Sequence, residues 1–198
     1  MAAMQVTVYH PDGQAPQVVT APDWDVLLKQ SAGVTWVDLH GPTAEGVKLL
    51  SEVFRFHPLA IEDATNQRQR PKIEEYDGYL FAIMNPVTFE QDEVQFTELD
   101  VFFSARYVVT VHSGDLPLLR KVEDRIETLA RMTPRATGFI VYALFDAVVD
   151  SYFPVLDRIG EEIDDIEEQI LNQPRQELLN RLFTLKRAIS ELWRVAGQ

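Results

Sequence analysis

The last third of the chain constrains the fold most, because its apolar residues keep a helical spacing from Arg135 to Gln198 with one break. Before the break, isoleucines recur at intervals of four, three and four residues, at positions 159, 163, 166 and 170. After it, the same kind of spacing runs from Leu178 to Ala196. Apolar residues three or four apart share one face of a helix. The region is therefore predicted to be one long helical hairpin, with Asn172-Gln173-Pro174 as its turn.

The second arm of this hairpin also fits a heptad pattern. Its apolar residues are Leu178, Leu182, Leu185, Ile189, Leu192 and Ala196. The pattern covers fewer than the three or four heptads that identify a coiled coil, so a packed helix and a coiled coil both remain open. Neither Pro nor a polar tail follows Gly197-Gln198, and we expect the helix to continue in a longer protein.

The preceding two thirds alternate between strand-like and helix-like segments. The predicted strands are Gln5–Tyr9, Gln17–Thr20, Val34–Leu39, Ile73–Phe89 with a break at Asp77-Gly78, Val94–Ser104 and Tyr107–His112. The predicted helices are Asp23–Gln30, a Thr43-capped helix to about Phe56, Pro58–Asp63 and Leu116–Met132. This alternation predicts an α/β domain over residues 1–134, followed by the hairpin over residues 135–198, with the boundary near Thr133-Pro134.

The net charge argues against some classes of binding partner. Lys and Arg number 18 and Asp and Glu number 31, which gives a net charge of −13. Such a surface repels phosphate backbones. The densest basic stretch, Arg68–Lys72, holds only three cations and is followed by Glu74 and Glu75. We therefore expect no nucleic-acid partner and a surface that attracts cations.

Enzymatic activity has no support in the sequence. The chain has no Cys, which excludes disulfides, thiolate metal sites and Cys nucleophiles. It also lacks a P-loop, a GxGxxG motif, a GxSxG motif and HExxH spacing among its four histidines. No stretch approaches the roughly 18 to 20 uncharged apolar residues of a membrane helix, so we expect a soluble chain without a membrane span.

Three groups of acids are candidates for binding cations. The run Glu161–Glu168 holds six acids in eight residues, and it is either a solvated helix face or a surface that concentrates cations. Glu62 and Asp63 end the short helix that Pro58 begins, where surface charge is the simpler interpretation. Asp146 and Asp150 lie four residues apart among apolar neighbours, so partial burial is expected, with a salt bridge as the default and a metal as the alternative.

Two stretches of sequence resemble the cytoplasmic part of the CorA family of divalent-cation channels. The first is His57-Pro58-Leu59-Ala60-Ile61-Glu62-Asp63, which continues through Gln69-Arg70-Pro71-Lys72-Ile73-Glu74-Glu75-Tyr76. The second is Tyr142-Ala143-Leu144-Phe145-Asp146-Ala147-Val148-Val149-Asp150-Ser151-Tyr152-Phe153, which leads into the acidic helix and Leu185-Lys186-Arg187. The order, spacing and helical ending agree over nearly the whole chain.

The resemblance implies an α/β/α sandwich with a mixed sheet, followed by a helical hairpin that leads into a stalk helix. It implies a homopentamer on the cytoplasmic face of the inner membrane, anchored by two transmembrane helices and a Gly-Met-Asn filter that this chain lacks. Mg²⁺ between subunits is the regulatory ion of such channels. By position, Asp63 matches the principal sensor carboxylate, Glu62 its neighbour and Asp146 a secondary-site acid, while the partner of Asp63 is expected beyond Gln198. Metal candidates are therefore Asp63, Glu62, Asp146 and Asp150.

The sequence leaves two other functions open. The zinc-transporting branch of the same superfamily is poorly separated by this part of the sequence, so Co²⁺ and Zn²⁺ stand beside Mg²⁺ as candidate ions. An unrelated possibility is an acidic interaction module that dimerises through Leu178–Ala196.

Overall fold

A computed structural model describes residues 4–10, 14–29, 33–67, 69–90, 93–129, 137–172 and 175–196. The strands are β1 (Met4–Tyr9), β2 (Gln17–Val18), β3 (Val34–His40), β4 (Lys72–Tyr76), β5 (Tyr79–Met84), β6 (Val87–Glu90), β7 (Glu93–Phe96), β8 (Leu99–Phe103) and β9 (Tyr107–His112). The helices are α1 (Trp24–Lys29), α2 (Ala44–Lys48), α3 (Pro58–Thr65), α4 (Pro117–Leu129), α5 (Thr137–Asn172) and α6 (Gln176–Ala196).

Seven strands form one sheet in the order β2-β1-β3-β9-β8-β5-β4. The pair β3 and β9 is parallel, with His40 opposite His112, and the remaining pairs are antiparallel. Strands β6 and β7 form a separate hairpin. The prediction of a mixed sheet is confirmed.

Local signals in the sequence account for where several helices begin. The Thr43 side chain accepts a hydrogen bond of 3.1 Å from the Gly46 N–H, which confirms the predicted N-cap of α2. Pro58 is the first residue of α3, as predicted, but α3 continues past Asp63 to Thr65. The predicted helix ends Gln30 and Met132 lie outside the described residues.

One predicted helix is shorter than expected. A π-helical turn over Leu49–Val53 follows α2, and the helical path ends there rather than at Phe56. Arg55 has a φ of 56°, in the left-handed region that L-residues rarely adopt, and this reverses the chain before α3. Phe56 enters the core, where its ring stacks on Phe102 with ring centroids 4.2 Å apart.

Helices cover both faces of the sheet, because successive strand residues point to opposite sides. On one face, Val37, Phe102 and Val109 pack against Ala60, Ile61 and Ala64 of α3. On the other, Trp36, Val101 and Val108 pack against residues of α4 and α5, including Val122, Ile126, Ile140 and Leu144. The predicted α/β/α sandwich is confirmed.

The second half of α5 pairs with α6 as the predicted helical hairpin. Ile159 and Ile166 of α5 share a small core with Leu185 and Leu192 of α6 and Val87 of β6. In the heptad pattern of α6, Leu178, Leu185 and Leu192 are buried, whereas Leu182 and Ile189 are about 40% exposed. Ile170 of α5 is also about 40% exposed. The pattern therefore serves packing within the hairpin. Helix α5 ends at Asn172 and α6 begins at Gln176, while Gln173 and Pro174 lie outside the described residues.

Helix α5 bears on the expectation that the chain has no segment able to span a membrane. Over Thr137–Leu171 it is long and apolar enough to cross a membrane by length and composition alone, whereas no such segment was expected. That expectation counted uncharged runs, and Asp146 and Asp150 interrupt this one. Core helices pass the same test, and this helix packs Ile140 and Leu144 against the sheet. The predicted domain boundary at Thr133-Pro134 lies outside the described residues and stays a prediction.

Candidate functional site

Helix α3 carries the predicted acids Glu62 and Asp63 in its C-terminal half. His57 caps the helix through its Nδ1 atom, which accepts a hydrogen bond of 3.2 Å from the Leu59 N–H. The His57 N–H donates in turn to the Tyr79 hydroxyl at 2.8 Å, which ties the helix start to β5. Glu62 is exposed and Asp63 is half-buried. The helix is therefore held rigidly while its two acids remain accessible.

Asp63 is bonded to a lysine from the edge strand β4. Lys72 Nζ lies 2.7 Å from Asp63 Oδ2 and 2.8 Å from Glu74 Oε1. The Tyr76 hydroxyl donates to the second oxygen of Glu74 at 2.9 Å. One ammonium thus serves two carboxylates, and the cluster keeps an excess of negative charge.

The pKa values in this cluster follow from those contacts. Burial acts to lower the pKa of Lys72, but hydrogen bonds to Asp63 and Glu74 outweigh it and raise the pKa. The hydrogen bond from Lys72 lowers the pKa of Glu74. Burial and the bond to Glu74 raise the pKa of Tyr76 to about 12. The lysine is therefore a fixed cation at neutral pH, and only another cation can replace its charge beside Asp63.

Asp146 and Asp150 have different surroundings on α5. Asp146 is half-buried and forms an ion pair with Arg125 of α4, and the Tyr142 hydroxyl donates to it at 3.2 Å. The hydrogen bond from Arg125 lowers the pKa of Asp146. The expected salt bridge is present for Asp146. Asp150 is exposed, so the expectation of partial burial was wrong for it, because its position on the helix points away from the sheet.

The sheet separates these two pairs of acids. Helix α3 packs in the core on one face and α5 in the core on the other, so Glu62 and Asp63 lie across the sheet from Asp146 and Asp150. Within the described ranges, no group of three or more His, Cys, Asp or Glu side chains is arranged to hold a metal ion. The four acids do not form one metal centre within this chain.

Arginines neutralise the inner side of the acidic run Glu161–Glu168. Arg181 of α6 lies 2.5 Å from Glu162 and 2.8 Å from Asp165, so it crosslinks the two arms of the hairpin. Arg158 lies 2.8 Å from Glu162 on the same helix. Asp164 and Glu167 are exposed. Part of the run is therefore an ion-pair network that holds the hairpin, and the remainder is a solvated face.

Sequence reasoning missed two buried acids, Glu98 and Asp100. Asp100 lies in β8, an interior strand of the sheet, and is completely buried, and Glu98 immediately precedes that strand and is 6% exposed. Burial, together with repulsion from Glu98, raises the pKa of Asp100 to about 8. Burial raises the pKa of Glu98 to about 7. The signal in the sequence was acids at alternate positions within the apolar run Val94–Ser104, where one sheet face is expected to be buried.

A second polar cluster lies on the α4 face of the sheet, at the ends of β3 and β9. His112 is 3% exposed, and its Nε2 lies 3.4 Å from Asp38 Oδ2. The Thr110 hydroxyl donates to Asp38 Oδ1 at 2.5 Å and accepts from the Trp36 indole N–H at 3.0 Å. These bonds join the only parallel pair of the described sheet, so the cluster has a clear role in stabilising the strands.

An α/β/α sandwich continues into an ion-paired acidic hairpin, which is the architecture that the CorA resemblance implies. The family model described as CorA-like Mg2+ transporter protein matches residues 31–198. The chain belongs to this family. The resemblance proposed from the two sequence motifs is therefore confirmed.

Individual relatives agree with this assignment. YfjQ of Bacillus subtilis, named as a metal ion transporter, is 36% identical over 159 residues, which cover 80% of this chain and 49% of that protein. The cobalt/magnesium transport protein CorA of Thermotoga maritima is 30% identical over 169 residues, covering 83% of this chain and 48% of that protein. The chain thus spans about half the length of the curated relatives it matches.

The fold has a solved counterpart in the same family. The complete structure of the CorA magnesium transporter from Methanocaldococcus jannaschii matches with a TM-score of 0.79 at 17% identity. The match covers 98% of this chain and 59% of that one. At this identity the likeness shows the fold alone. The family is one of transporters rather than enzymes.

Proposed function

We propose that this chain is the cytoplasmic, cation-sensing part of a CorA-like transporter for Mg²⁺ and Co²⁺, and that divalent cations bound between subunits control transport. Family membership supports the transporter role, and the name of the Thermotoga maritima relative supports the choice of ions. The pore is proposed to lie in the portion that those relatives have in addition, since this chain spans about half of their length.

The observation that carries the sensing proposal is that Asp63 is partly exposed and has beside it a lysine that it shares with Glu74. Mg²⁺ prefers carboxylate oxygens and keeps several of its waters. A hydrated Mg²⁺ can therefore replace Lys72 at Asp63, while Lys72 keeps its bond to Glu74.

Binding between subunits follows from the position of the acids. The sheet holds Glu62 and Asp63 apart from Asp146 and Asp150, and the described residues contain no ready metal centre. An ion at Asp63 needs further ligands, and a neighbouring subunit is the source that the resemblance indicates. Such bridging gives the ion a higher affinity for the closed assembly than for the open one, and this differential affinity is what drives a switch.

The net charge also supports closure of the assembly by bound Mg²⁺. Each chain carries −13, so packing copies into a ring is unfavourable until cations neutralise the interfaces. We propose a homopentamer at the cytoplasmic face of the inner membrane, closed when Mg²⁺ is bound and loosened by repulsion when Mg²⁺ falls. The acidic interaction module has less support, since Leu178, Leu185 and Leu192 are already buried in this chain's own hairpin.

A chimera tests the proposal. This chain replaces the matching half of the Thermotoga maritima CorA, and uptake of Mg²⁺, Co²⁺ and Zn²⁺ is measured in cells that lack their own transporters. We expect Mg²⁺ and Co²⁺ uptake that high internal Mg²⁺ suppresses, and we expect Asp63→Asn to weaken that suppression. The matched control is Glu167→Gln, an exposed acid of the hairpin. Preferential Zn²⁺ uptake would favour the zinc alternative, and equal suppression in both variants would contradict sensing at Asp63.

A further inference from the structure

The buried acids Glu98 and Asp100 are not used by the proposed cation sensor. Asp100 pairs across the sheet with Ile83 of β5 and Val111 of β9, which places it in the centre of the sheet beneath α3. It is 0% exposed, and neither carboxyl oxygen has a hydrogen-bond partner among the described residues. A buried ionised carboxylate without partners is strongly unfavourable, so this group needs either a proton or water.

Glu98 joins this acid to the segment that follows α3. Its Oε2 accepts a hydrogen bond of 2.5 Å from the backbone N–H of Gln69, and its Oε1 is buried with no partner in the described part of the chain. Gln69 belongs to residues 66–71, which connect α3 to β4. The buried amide nitrogen of Gln67, from the same segment, faces Asp100 but falls short of a regular hydrogen bond. The two acids therefore lie beneath this connection.

The charged groups around the pair do not neutralise it. Asp63 faces it from α3, and its charge disfavours ionisation of both acids. Lys72 of β4 favours ionisation of Asp100, but this is the smallest of the effects on Asp100, and Lys72 is itself bonded to Asp63 and Glu74. The neighbours of Asp100 on β5 and β9 are apolar, and Arg70 of the connecting segment is exposed. Arg68 of that segment lies outside the described residues.

We propose that Glu98 and Asp100 form a proton-binding site that holds Gln67 and Gln69, on the connection from α3 to β4, against the sheet, and that proton loss releases these two residues. The proposal goes beyond the cation sensor and does not rest on it. With a proton bound, the pair carries at most one negative charge. After the proton is lost, two buried anions repel each other. They gain hydration only if the segment above them moves outward.

The pKa values of the two acids place the loss of the proton near neutral pH. Burial is the main cause that raises both pKa values, to about 7 for Glu98 and about 8 for Asp100, and repulsion between the acids adds to it for Asp100. Because the two groups interact, the protons are lost in steps that belong to the pair. A proton site in this range responds to ordinary changes of cytoplasmic pH, which an exposed carboxyl does not.

Carbon-detected NMR of the carboxyl groups tests whether the pair binds a proton near neutral pH. The chain is titrated from about pH 5 to about pH 9, a range in which ordinary carboxyls are already ionised. We expect the Glu98 and Asp100 signals to titrate within this range, and the signals of carboxyls with ordinary pKa values to change little above about pH 6. Both buried acids already ionised at the acid end of the titration would overturn the proposal.

Hydrogen exchange of the Gln69 amide tests release of the segment. After correction for intrinsic exchange, we expect its protection to fall by up to about tenfold per pH unit as the pH rises toward the pKa of the pair, and to level off above it, as required if the open state binds one proton fewer than the closed state. Glu98→Gln and Asp100→Asn remove the titrating groups at nearly constant shape and should flatten this dependence, whereas Glu167→Gln should not. If Asp100→Asn does not fold, Glu98→Gln alone decides. An unchanged pH profile in that variant would contradict the proposal.

Discussion

Lys72 Nζ lies 2.7 Å from Asp63 Oδ2, which joins edge strand β4 to helix α3. The two side chains are 33% and 24% exposed, so the ion pair is only partly shielded from water. Its strength is intermediate between that of a surface pair and that of a buried pair. In the proposed sensor, this lysine is a built-in competitor of the cation that Asp63 binds.

Replacing the competitor is expected to strengthen Mg²⁺ binding. In Lys72→Met, Asp63 has no cation of its own, so the increase in melting temperature caused by millimolar Mg²⁺ should exceed that of the unchanged chain. The measurement is a thermal melt in MgCl₂ and in NaCl at matched ionic strength. Lys48→Met is the control, because Lys48 is exposed and pairs only loosely with Glu52 at 3.8 Å. Equal Mg²⁺ increments in both variants would count against competition at Asp63.

Mg²⁺ should stabilise the unchanged chain through Asp63. A ligand that binds only the folded state stabilises the protein. Once the ligand concentration exceeds the dissociation constant, the gain in stability grows with the logarithm of that concentration. We expect millimolar Mg²⁺ to raise the melting temperature, Asp63→Ala to remove the increase and Glu167→Ala to keep it. Identical melts in chelator and in Mg²⁺ at matched ionic strength would show that this chain alone holds no specific site.

Stability should fall as the pH rises through neutrality, owing to Glu98 and Asp100. Their pKa values in the folded chain, about 7 and about 8, exceed the ordinary values of 4.5 and 3.8, so between these limits the folded state binds more protons than the unfolded state. The free energy of unfolding then decreases with pH, by up to about 1.4 kcal/mol per pH unit for each group. Urea denaturation between about pH 5 and about pH 8 measures this slope.

Replacing Asp100 with a neutral residue tests whether the pH dependence of stability comes from the buried acids. Asp100→Asn should make the dependence on pH shallower over that range, because one of the two groups no longer gains a proton on folding. Asp146 provides a contrast, since Arg125 lowers its pKa and its contribution to stability is lost only at acidic pH. Equal slopes in Asp100→Asn and in the unchanged chain would show that Asp100 is already ionised in the folded state over this range.

Local chemistry made much of this fold predictable. Thr43 and Pro58 begin helices because a hydroxyl cap and a fixed φ act within a few residues. The helical hairpin followed from apolar spacing interrupted before Pro174. By contrast, the positive φ of Arg55 that ends the helical path before Phe56 has no residue-level signal, since Arg carries no preference for that conformation.

The site was less predictable, because its contacts depend on the pairing of distant strands. Asp63 meets Lys72 only once β4 forms the edge of the sheet beside α3. The burial of Asp100 depends on β8 lying between β5 and β9, which a strand's own sequence does not specify. The CorA-like motifs did identify Asp63, Glu62 and Asp146 as candidates, and the roles of these acids and of Asp150 in binding metal remain predictions.

The hairpin offers a matched pair of leucines on one helix that tests how the heptad pattern is used. Leu185 is 8% exposed and packs with Ile159, Ile166 and Leu192, whereas Leu182, three residues earlier, is 42% exposed. Leu185→Ala should lower the free energy of unfolding by about 2 to 4 kcal/mol, because it leaves a cavity between the arms. Leu182→Ala should change it by less than about 1 kcal/mol. Urea denaturation of dilute protein gives both values. If α6 instead dimerised through the whole heptad pattern, the two variants would have comparable effects that grow with protein concentration, because stability would then include association.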